Sequence, residues 1–475
     1  MSDKLSVCLL NDSFPPVIDG VSNAVINYAE IIEKKYGNVV IGTPKVPEYS
    51  DNYPFPVYRY PSINTTKLVG YRAGYPFDAS VINAMEKEKI DIIHSHCPIM
   101  STLLARTIRK TKDVPIILTY HTKFDVDLQK AVKSNLIKTM SLKFLEQNIY
   151  ACDEVWAVSK GAGENMRNLG YYGDYVVMEN GVDFPKGRAS AEKTAQLRAQ
   201  YNIPEGMPLF LFVGRLRWYK GIQIILDALK IAKEQGEQFR MLIVGDGNDR
   251  QEMKEYTEKI GISDICTYVG AVSDRELLRV YFCAADLFLF PSTYDTNGIV
   301  VREAAACSLG SVLIKDSCAA EGVEDGRNGI LIEENAEALG AVVIDACHNL
   351  DGIHRIGENA ANDLYISWED SVAKAYERYQ IVLDRKKSMP PVPPGEEKKK
   401  DEFFGLVADI CAAIDKVQES GDKIKTKVQE NSDKLKTKVQ ENSDRLKTKV
   451  QENTDKIKET KEKITEKLYE KIEKK

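Results

Sequence analysis

The chain reads Pro291-Ser-Thr-Tyr-Asp-Thr-Asn-Gly-Ile-Val-Val-Arg-Glu-Ala-Ala-Ala306 directly after a short apolar run at residues 286–290. Such a run is typical of a buried strand in a parallel sheet, and helix-forming residues follow the Asn297-Gly298 break. A turn from a strand into a helix presents unpaired backbone N–H groups that favour a phosphate. Asp295 and Glu303 therefore either flank a bound phosphate or belong to an ordinary solvated helix start.

The same alternation of apolar runs and helical segments extends through most of the chain. Strand-like runs occur from residues 5–10 to 154–158, and a second series runs from 208–213 to 311–314. Such alternation predicts parallel sheets covered by helices on both faces. We therefore expect an α/β fold of two Rossmann-like domains facing a cleft, with ligands bound at the carboxyl ends of the strands. A long amphipathic helical tail is expected to follow them.

The predicted domain boundaries follow from the restart of the pattern and from a proline-rich segment. Proline cannot continue a helix, so the Pro- and Lys-rich stretch after the last helical segment is expected to be a linker. The expected parts are a first domain at 1–185 completed by a helix at 368–384, a second domain at 186–367, a linker at 386–402 and a helical tail at 403–475.

Composition favours a cytoplasmic protein with a separate role for the tail. The nine cysteines form no CxxC pair, which argues against a disulfide framework or a zinc ribbon. No run of eighteen apolar residues and no signal-peptide pattern is present. The net charge is −6, yet residues 421–475 hold 17 Lys and Arg against 12 Asp and Glu. An acidic body with a basic tail does not indicate a nucleic-acid enzyme and predicts a separate partner for the tail.

Two further glycine-containing motifs of the second half follow predicted strands. Val213-Gly-Arg-Leu-Arg-Trp-Tyr-Lys-Gly221 places Arg215 and Lys220 where fixed positive charge neutralises a diphosphate. Gly245-Asp246-Gly247 ends another strand, where glycine permits close approach of a ligand to the backbone. Tight turns need glycine in any case, so each motif alone is weak, whereas three in order at successive strand ends form a strong pattern.

These motifs together resemble the retaining nucleotide-sugar glycosyltransferases of family 4, which have the two-domain GT-B fold. The resemblance covers about residues 1–384, including Asn180-Gly-Val-Asp183 near the domain switch and Ser367-Trp-Glu369. That family has Glu-x7-Glu where this chain has Asp295 and Glu303, and commonly a phenylalanine where it has Asn297.

The resemblance implies roles for these residues. Glu303 would bind the donor ribose, Asp295 would contact the sugar hydroxyls, and Arg215 and Lys220 would stabilise the leaving diphosphate. The implied donor is a nucleoside-diphosphate sugar, with UDP-glucose favoured and no further cofactor required. The implied donor-binding residues are Gly214, Arg215, Lys220, Gly245, Asp246, Gly247, Asn297, Gly298, Ile299 and Glu303.

The first half is expected to hold the acceptor. Asp19-Gly20 form a turn before a helix, and the resemblance implies that this loop contacts the acceptor or the donor phosphate. His94, His96 and His121 lie at predicted strand ends. A zinc site is one interpretation, but no fourth ligand is evident and no metal is expected. The resemblance implies that His121 lies beside the transferred sugar as a catalytic residue, with Asp295, Arg215 and Lys220.

The tail contains an 11-residue repeat that begins at Asp422, Asp433, Asp444 and Asp455. Eleven residues make about three helical turns, so the repeat predicts a narrow apolar stripe bordered by lysines. Such a helix suits an anionic membrane surface. Self-association in a coiled coil and an inert spacer remain alternatives, and the stretch at 403–417 is a second candidate membrane anchor.

The leading hypothesis is a peripheral membrane enzyme on the cytoplasmic face that moves a hexose to a lipid acceptor such as diacylglycerol. Three motifs of the first half look most like those of the diacylglycerol glucosyltransferase and phosphatidylinositol mannosyltransferase branches. They are His94-Ser-His96, Tyr120-His-Thr122 and Asp19-Gly-Val21. An alternative is a transferase for a soluble or polyprenyl-linked glycan with an oligomerising tail. Less favoured are a sugar-nucleotide epimerase and a non-catalytic nucleotide-binding scaffold.

Overall fold

A computed structural model describes residues 4–17, 19–66, 72–122 and 135–388 of the chain, so the predicted tail at 403–475 lies outside the described residues. The strands described in the first half are β1 (Ser6–Leu10), β2 (Asn38–Pro44), β3 (Val57–Tyr60), β4 (Ser62–Ile63), β5 (Ala73–Gly74), β6 (Ile92–Ser95), β7 (Ile116–Tyr120), β8 (Glu154–Ala157) and β9 (Val176–Val177). They form a parallel sheet in the order β3-β2-β1-β6-β7-β8-β9, with β4 and β5 paired apart from it. Every residue of β1 is buried, as its apolar sequence predicts for a central strand.

The second half forms another parallel sheet. Its described strands are β10 (Leu209–Val213), β11 (Arg240–Val244), β12 (Cys266–Gly270), β13 (Leu287–Phe290), β14 (Gly310–Ile314) and β15 (Ile330–Ile332). The order is β12-β11-β10-β13-β14-β15. The sequence order reverses between β10 and β13, and a crevice at the carboxyl ends of strands on either side of such a point is the usual ligand site.

Helices cover both sheets. The described helices are α1 (Gly20–Lys35), α2 (Ala79–Lys87), α3 (Met100–Lys112), α4 (Asn135–Tyr150), α5 (Lys160–Asn168), α6 (Ala191–Gln200), α7 (Ile222–Glu234), α8 (Arg250–Lys259), α9 (Arg275–Ala284), α10 (Ile299–Ala306), α11 (Ala336–His348), α12 (Leu350–Asp363) and α13 (Trp368–Ser388). Polar side chains start many of them, because they accept hydrogen bonds from first-turn N–H groups. Asp19 caps α1 in this way and Ser159 caps α5.

The last helix returns to the first sheet. Trp368, Val372 and Tyr379 of α13 are buried in the same apolar core as β1 and α1. Arg378 donates two hydrogen bonds, at 2.8 and 2.9 Å, to the carboxylate of Glu154 on β8. The chain therefore crosses from the first sheet to the second and back again.

The predicted fold class is confirmed by the two parallel sheets. The sequence pattern did not reveal β3, β4, β5, β9 and β15. Four of these strands have only two or three residues, and the apolar run of β3 is interrupted by Arg59, so none of them forms a distinctive pattern. Within the described residues, every helix is either too short or too polar to cross a membrane.

Candidate active site

A cleft of about 510 Å³ lies where the carboxyl ends of strands from both sheets meet. Its walls include the ends of β7 and β10, the turn between β13 and α10, and the start of α1. Of the residues predicted for the site, it is lined by Asp19, Gly20, His121, Gly214, Arg215, Lys220, Asp295, Asn297, Gly298, Ile299 and Glu303. A larger cavity of about 700 Å³, between α11 and α12, contains none of them.

The turn before α10 has the geometry that a phosphate site needs. Gly298 has a φ of +59°, in the left-handed region that glycine favours, and α10 starts at the next residue. No side chain caps the first turn of α10, so N–H groups there remain available within the described structure. The helix start is therefore able to receive an anion.

Two cations lie close to this helix start. The ammonium of Lys220 forms an ion pair with Oδ1 of Asp295 at 2.6 Å, and the hydroxyl of Ser292 donates to Oδ2 at 2.6 Å. Arg215, by contrast, is exposed and forms no ion pair with any described residue. Lys220 is thus fixed in place, while the guanidinium of Arg215 is free of protein partners in the described part of the chain.

Gly245, Asp246 and Gly247 lie behind the Arg215 loop and do not line the cleft. A Cβ on Gly245 would lie 1.9 Å from the carbonyl oxygen of Gly214, and Gly245 has a φ of +135°. The carbonyl of Asp246 accepts a hydrogen bond of 3.0 Å from the N–H of Leu216. The close approach that the glycines permit is therefore between two backbone segments, which positions the loop that carries Arg215.

Glu303 is 7% exposed on the inner side of α10. Its Oε1 lies 2.5 Å from Nη2 of Arg275, which also lies 3.3 Å from Oδ2 of Asp183. Burial raises the pKa of the Glu303 carboxyl above its ordinary value, although the charge of Arg275 acts in the opposite direction. A buried carboxylate paired in this way is a strong hydrogen-bond acceptor for hydroxyl groups.

Asn297 lines the cleft and also connects the two domains through its amide. Its Nδ2 donates a hydrogen bond of 2.9 Å to the carbonyl of Val158 at the end of β8. The hydroxyl of the adjacent Thr296 donates to the carbonyl of His121 at 2.7 Å, and the backbone carbonyl of Thr296 accepts a hydrogen bond from the hydroxyl of Ser159. The turn before α10 is therefore held directly by strand ends of the first domain.

Asp19 faces the same cleft from the first domain. One carboxylate oxygen accepts hydrogen bonds from the N–H groups of Val21 and Ser22, at 2.9 and 2.8 Å, as an N-cap. The other oxygen, Oδ2, is buried and has no partner among the described residues. A buried acceptor without a partner is costly, which marks this oxygen as a candidate contact for a substrate hydroxyl.

The three histidines form a buried stack in the first domain. His96 Nδ1 lies 3.0 Å from His121 Nε2, and the rings of His94 and His96 are 4.0 Å apart. Burial lowers the pKa of His121 to about 3, so its ring is neutral at pH 7. His94 bonds through both ring nitrogens to Tyr379 and Thr119, at 2.7 and 2.6 Å. No group of three or more potential metal ligands occurs in the described residues.

Arg275 and Asp183 were not predicted as site residues. Arg275 comes at the start of a helix in the sequence, where an arginine is usually a solvated charge, so no local pattern distinguishes it. Asp183 lies in a motif that the sequence placed near the domain switch without a role. Only the packing of α9 against α10 brings Arg275 to Glu303, and Asp183 reaches Arg275 from the segment between β9 and α6.

Comparison with known proteins identifies the family. A family model described as glycosyl transferases group 1 matches residues 193–363, and one described as Glycosyltransferase Family 4 matches residues 18–185. The chain belongs to the family 4 glycosyltransferases. The predicted family is thereby confirmed, and the similarity to solved structures given below confirms the GT-B fold.

Two curated relatives of this glycosyltransferase share one name. This chain is 26% identical over 348 residues to the alpha-monoglucosyldiacylglycerol synthase of Acholeplasma laidlawii, and the match covers 70% of this chain and 86% of the relative. It is 23% identical over 306 residues to the alpha-monoglucosyldiacylglycerol synthase of Streptococcus pneumoniae, covering 64% and 69%. Among solved structures, Anabaena Alr3699/HepE in complex with UDP matches with a TM-score of 0.65 and 18% identity, over 79% of this chain and all of that one.

Proposed function

We propose that this glycosyltransferase transfers a hexose, with retention of anomeric configuration, from a nucleoside-diphosphate sugar to a lipid acceptor. The favoured donor is UDP-glucose and the favoured acceptor is diacylglycerol at the cytoplasmic face of a membrane. The observation that carries the proposal is the meeting of Lys220, Arg215, the start of α10 and the buried Glu303 in one cleft.

The charges of the cleft support a nucleoside diphosphate as donor. Lys220, Arg215 and the N–H groups at the start of α10 supply positive potential for two phosphates. Glu303 supplies an acceptor for the two hydroxyls of a ribose. Anabaena Alr3699/HepE, which shares the fold, has been solved with UDP and with UDP-glucose.

The proposed reaction exchanges one bond at the anomeric carbon. The bond from that carbon to the diphosphate oxygen breaks while the acceptor hydroxyl forms a new bond on the same face, and its proton passes to the departing diphosphate. Negative charge grows on the diphosphate, where Lys220 and Arg215 stabilise it as preorganised electrostatic groups. No protein nucleophile is assigned. His121, with its neutral ring, and Asp19, with its unpartnered Oδ2, line the same cleft, which supports contacts with the sugar and the acceptor.

The lipid acceptor is supported by the relatives and by the tail. The two relatives named above are called alpha-monoglucosyldiacylglycerol synthases. The predicted apolar stripe bordered by lysines in the tail at 403–475 suits an anionic membrane surface, which would bring the enzyme to its acceptor. A soluble or polyprenyl-linked glycan is the alternative acceptor, with a tail that serves self-association.

A transfer assay tests the proposal. The full chain is incubated with radiolabelled UDP-glucose and vesicles of diacylglycerol and anionic phospholipid, and the lipid extract is separated by thin-layer chromatography. We expect a labelled glucolipid. The NMR signal of its anomeric proton should show the same α-configuration as the donor. Glu303→Ala should abolish the product, whereas Glu324→Ala, which removes an exposed partner of Arg327, should not. Label in added glycan but not in lipid would favour the alternative, and a β-linked product would exclude retention.

A further inference from the structure

The guanidinium of Arg275 is held by Glu303 and by Asp183 and Phe184 of the segment that joins the two sheets. Its Nη2 lies 2.5 Å from Glu303 and 3.3 Å from Asp183. Its central carbon lies 4.5 Å from the ring centroid of Phe184, close enough for a cation–π interaction. A long side chain loses rotamer freedom in such a setting, so these contacts hold Arg275 in one place against Glu303.

The same group is connected to the first domain. Oδ1 of Asp183 accepts a hydrogen bond of 3.2 Å from Nδ2 of Asn27, which lies on α1. The first residues of α1 line the cleft with Glu303. A continuous set of polar contacts therefore leads from Asn27 through Asp183 and Arg275 to Glu303.

The surroundings of Glu303 explain why it needs Arg275. The carboxyl lies in a low-dielectric position, where the charged form is disfavoured unless a cation is adjacent. Among the described residues, the charges that act on it are Arg275 on α9, which favours ionisation, and Asp183, which opposes it. On its own helix, the Cys307 thiol is influenced by the charge of Glu303.

We propose that Arg275 is a positioning residue of the donor site, which keeps Glu303 a carboxylate that accepts hydrogen bonds from the donor ribose. The inference rests on the proposed function, in which Glu303 binds that ribose. Asp183 and Asn27 anchor Arg275. A protonated Glu303 would donate one hydrogen bond and lose acceptor capacity, so a ribose diol would find a poorer partner.

Removal of the charge of Arg275 and removal of the charge of Asp183 should shift the pH dependence of donor binding in opposite directions. Without Arg275 the pKa of Glu303 rises further. As the pH is lowered, the variant should therefore lose donor binding at a higher pH than the wild type does. Without the negative charge of Asp183 the pKa falls, so binding persists to a lower pH. If Arg275 and Asp183 served only in packing, both variants would bind the donor more weakly than the wild type by the same factor at every pH.

Isothermal titration calorimetry between about pH 5 and pH 8 tests these opposite shifts. UDP-glucose, ADP-glucose and GDP-glucose are titrated into the full chain, and the tightest binder is kept for the variants. At the acidic end of this range we expect Arg275→Met to bind up to about tenfold more weakly than the wild type, which is the limit for a rise of one pKa unit, and the difference should shrink towards pH 8. Arg275→Lys should recover most of that loss, and Asp183→Asn should bind at least as tightly as the wild type at pH 5.

Arg279→Met is the matched control, since Arg279 lies one turn further along α9 and donates to the carbonyl of Gly187. It should change the affinity by less than about threefold at every pH. Equal affinity of Arg275→Met and wild type across the range would overturn this inference and leave the proposed function intact. If Arg275→Met does not fold, a parallel loss of affinity in Asp183→Asn at every pH would overturn it equally. Absence of binding of all three sugars to the wild type would overturn both proposals.

Discussion

The ammonium of Lys220 lies 2.6 Å from Oδ1 of Asp295, which joins the loop after β10 to the turn after β13. The two strands are neighbours in the second sheet, so their carboxyl ends meet at one edge. The side chains of Tyr219 and Tyr294 enclose the lysine, with ring centroids 5.9 and 5.5 Å from Nζ. This cation, which lines the cleft together with the start of α10, is therefore held in position before any ligand arrives, which reduces the reorganisation needed during a reaction.

Replacing this lysine should slow transfer strongly. We expect Lys220→Ala to lower kcat/KM by about 10²- to 10³-fold, because a preorganised cation at the developing diphosphate charge is lost. Steady-state assays with the donor and the lipid acceptor measure this. Lys233→Ala removes a lysine that pairs with Asp264 on the surface and should leave kcat/KM nearly unchanged. A loss below about tenfold in Lys220→Ala would contradict the assigned role.

Lengthening the carboxylate at 295 should be tolerated. Asp295→Glu introduces the glutamate that is usual in this family, and we expect the longer side chain to reach Lys220 as well. We expect kcat/KM within about tenfold of the wild type, whereas Asp295→Ala should fall by about 10²-fold because Lys220 loses its anchor. Donor KM and kcat are measured separately for each. Equal activity of Asp295→Ala and wild type would show that the ion pair is dispensable.

Glu321 should stabilise the contact between the two domains. Its carboxylate accepts hydrogen bonds from the N–H groups of Lys160 and Gly161, at 2.7 and 2.5 Å, at the start of α5 in the first domain. An anion at a helix start is favourable, so Glu321→Ala should lower the free energy of unfolding by about 2 kcal/mol. Urea denaturation measures the change, with the exposed Glu324→Ala as control. An unchanged midpoint would show that this contact contributes nothing.

The histidine stack should make the first domain sensitive to acid. Burial lowers the pKa of His94 well below its ordinary value, so the folded protein leaves it neutral while the unfolded chain binds a proton below about pH 6.5. The stability contributed by the neutral ring is therefore lost as the pH falls.

Between about pH 6 and pH 5 the wild type should lose about 1 kcal/mol more unfolding free energy than His94→Gln. Urea denaturation at several pH values gives this difference, and His348→Gln is the control at an exposed site. Parallel pH dependence of the wild type and His94→Gln would refute the expectation.

The tail should direct the enzyme to anionic lipid. Sedimentation with vesicles containing phosphatidylglycerol should pull down the full chain and leave behind a chain that ends at residue 388. Raising the salt concentration should weaken the binding, since lysine contacts with headgroups are screened. Equal sedimentation of both chains, or of neither, would remove the membrane role, and a change only in oligomeric state would favour self-association.

The fold class was predictable from the sequence because buried parallel strands are continuous apolar runs. The run at 208–213 and the observed β10 differ by one residue, and the helix expected after the Asp19-Gly20 turn is α1. Short edge strands such as β15 carry too few residues for such a pattern. The turns that contain glycine and charged residues, such as the one with Arg215 and Lys220, were therefore predictable where they follow a long apolar strand.

The sequence alone determined that strands end in charged and glycine-containing turns, and that one such turn opens a helix with a carboxylate inside it. Both are properties of adjacent residues. Only the tertiary structure decided that Gly245 packs against Gly214 and that Arg275 pairs with Glu303. Those contacts join residues about 30 positions apart, and no local pattern specifies them because they depend on how strands and helices pack side by side.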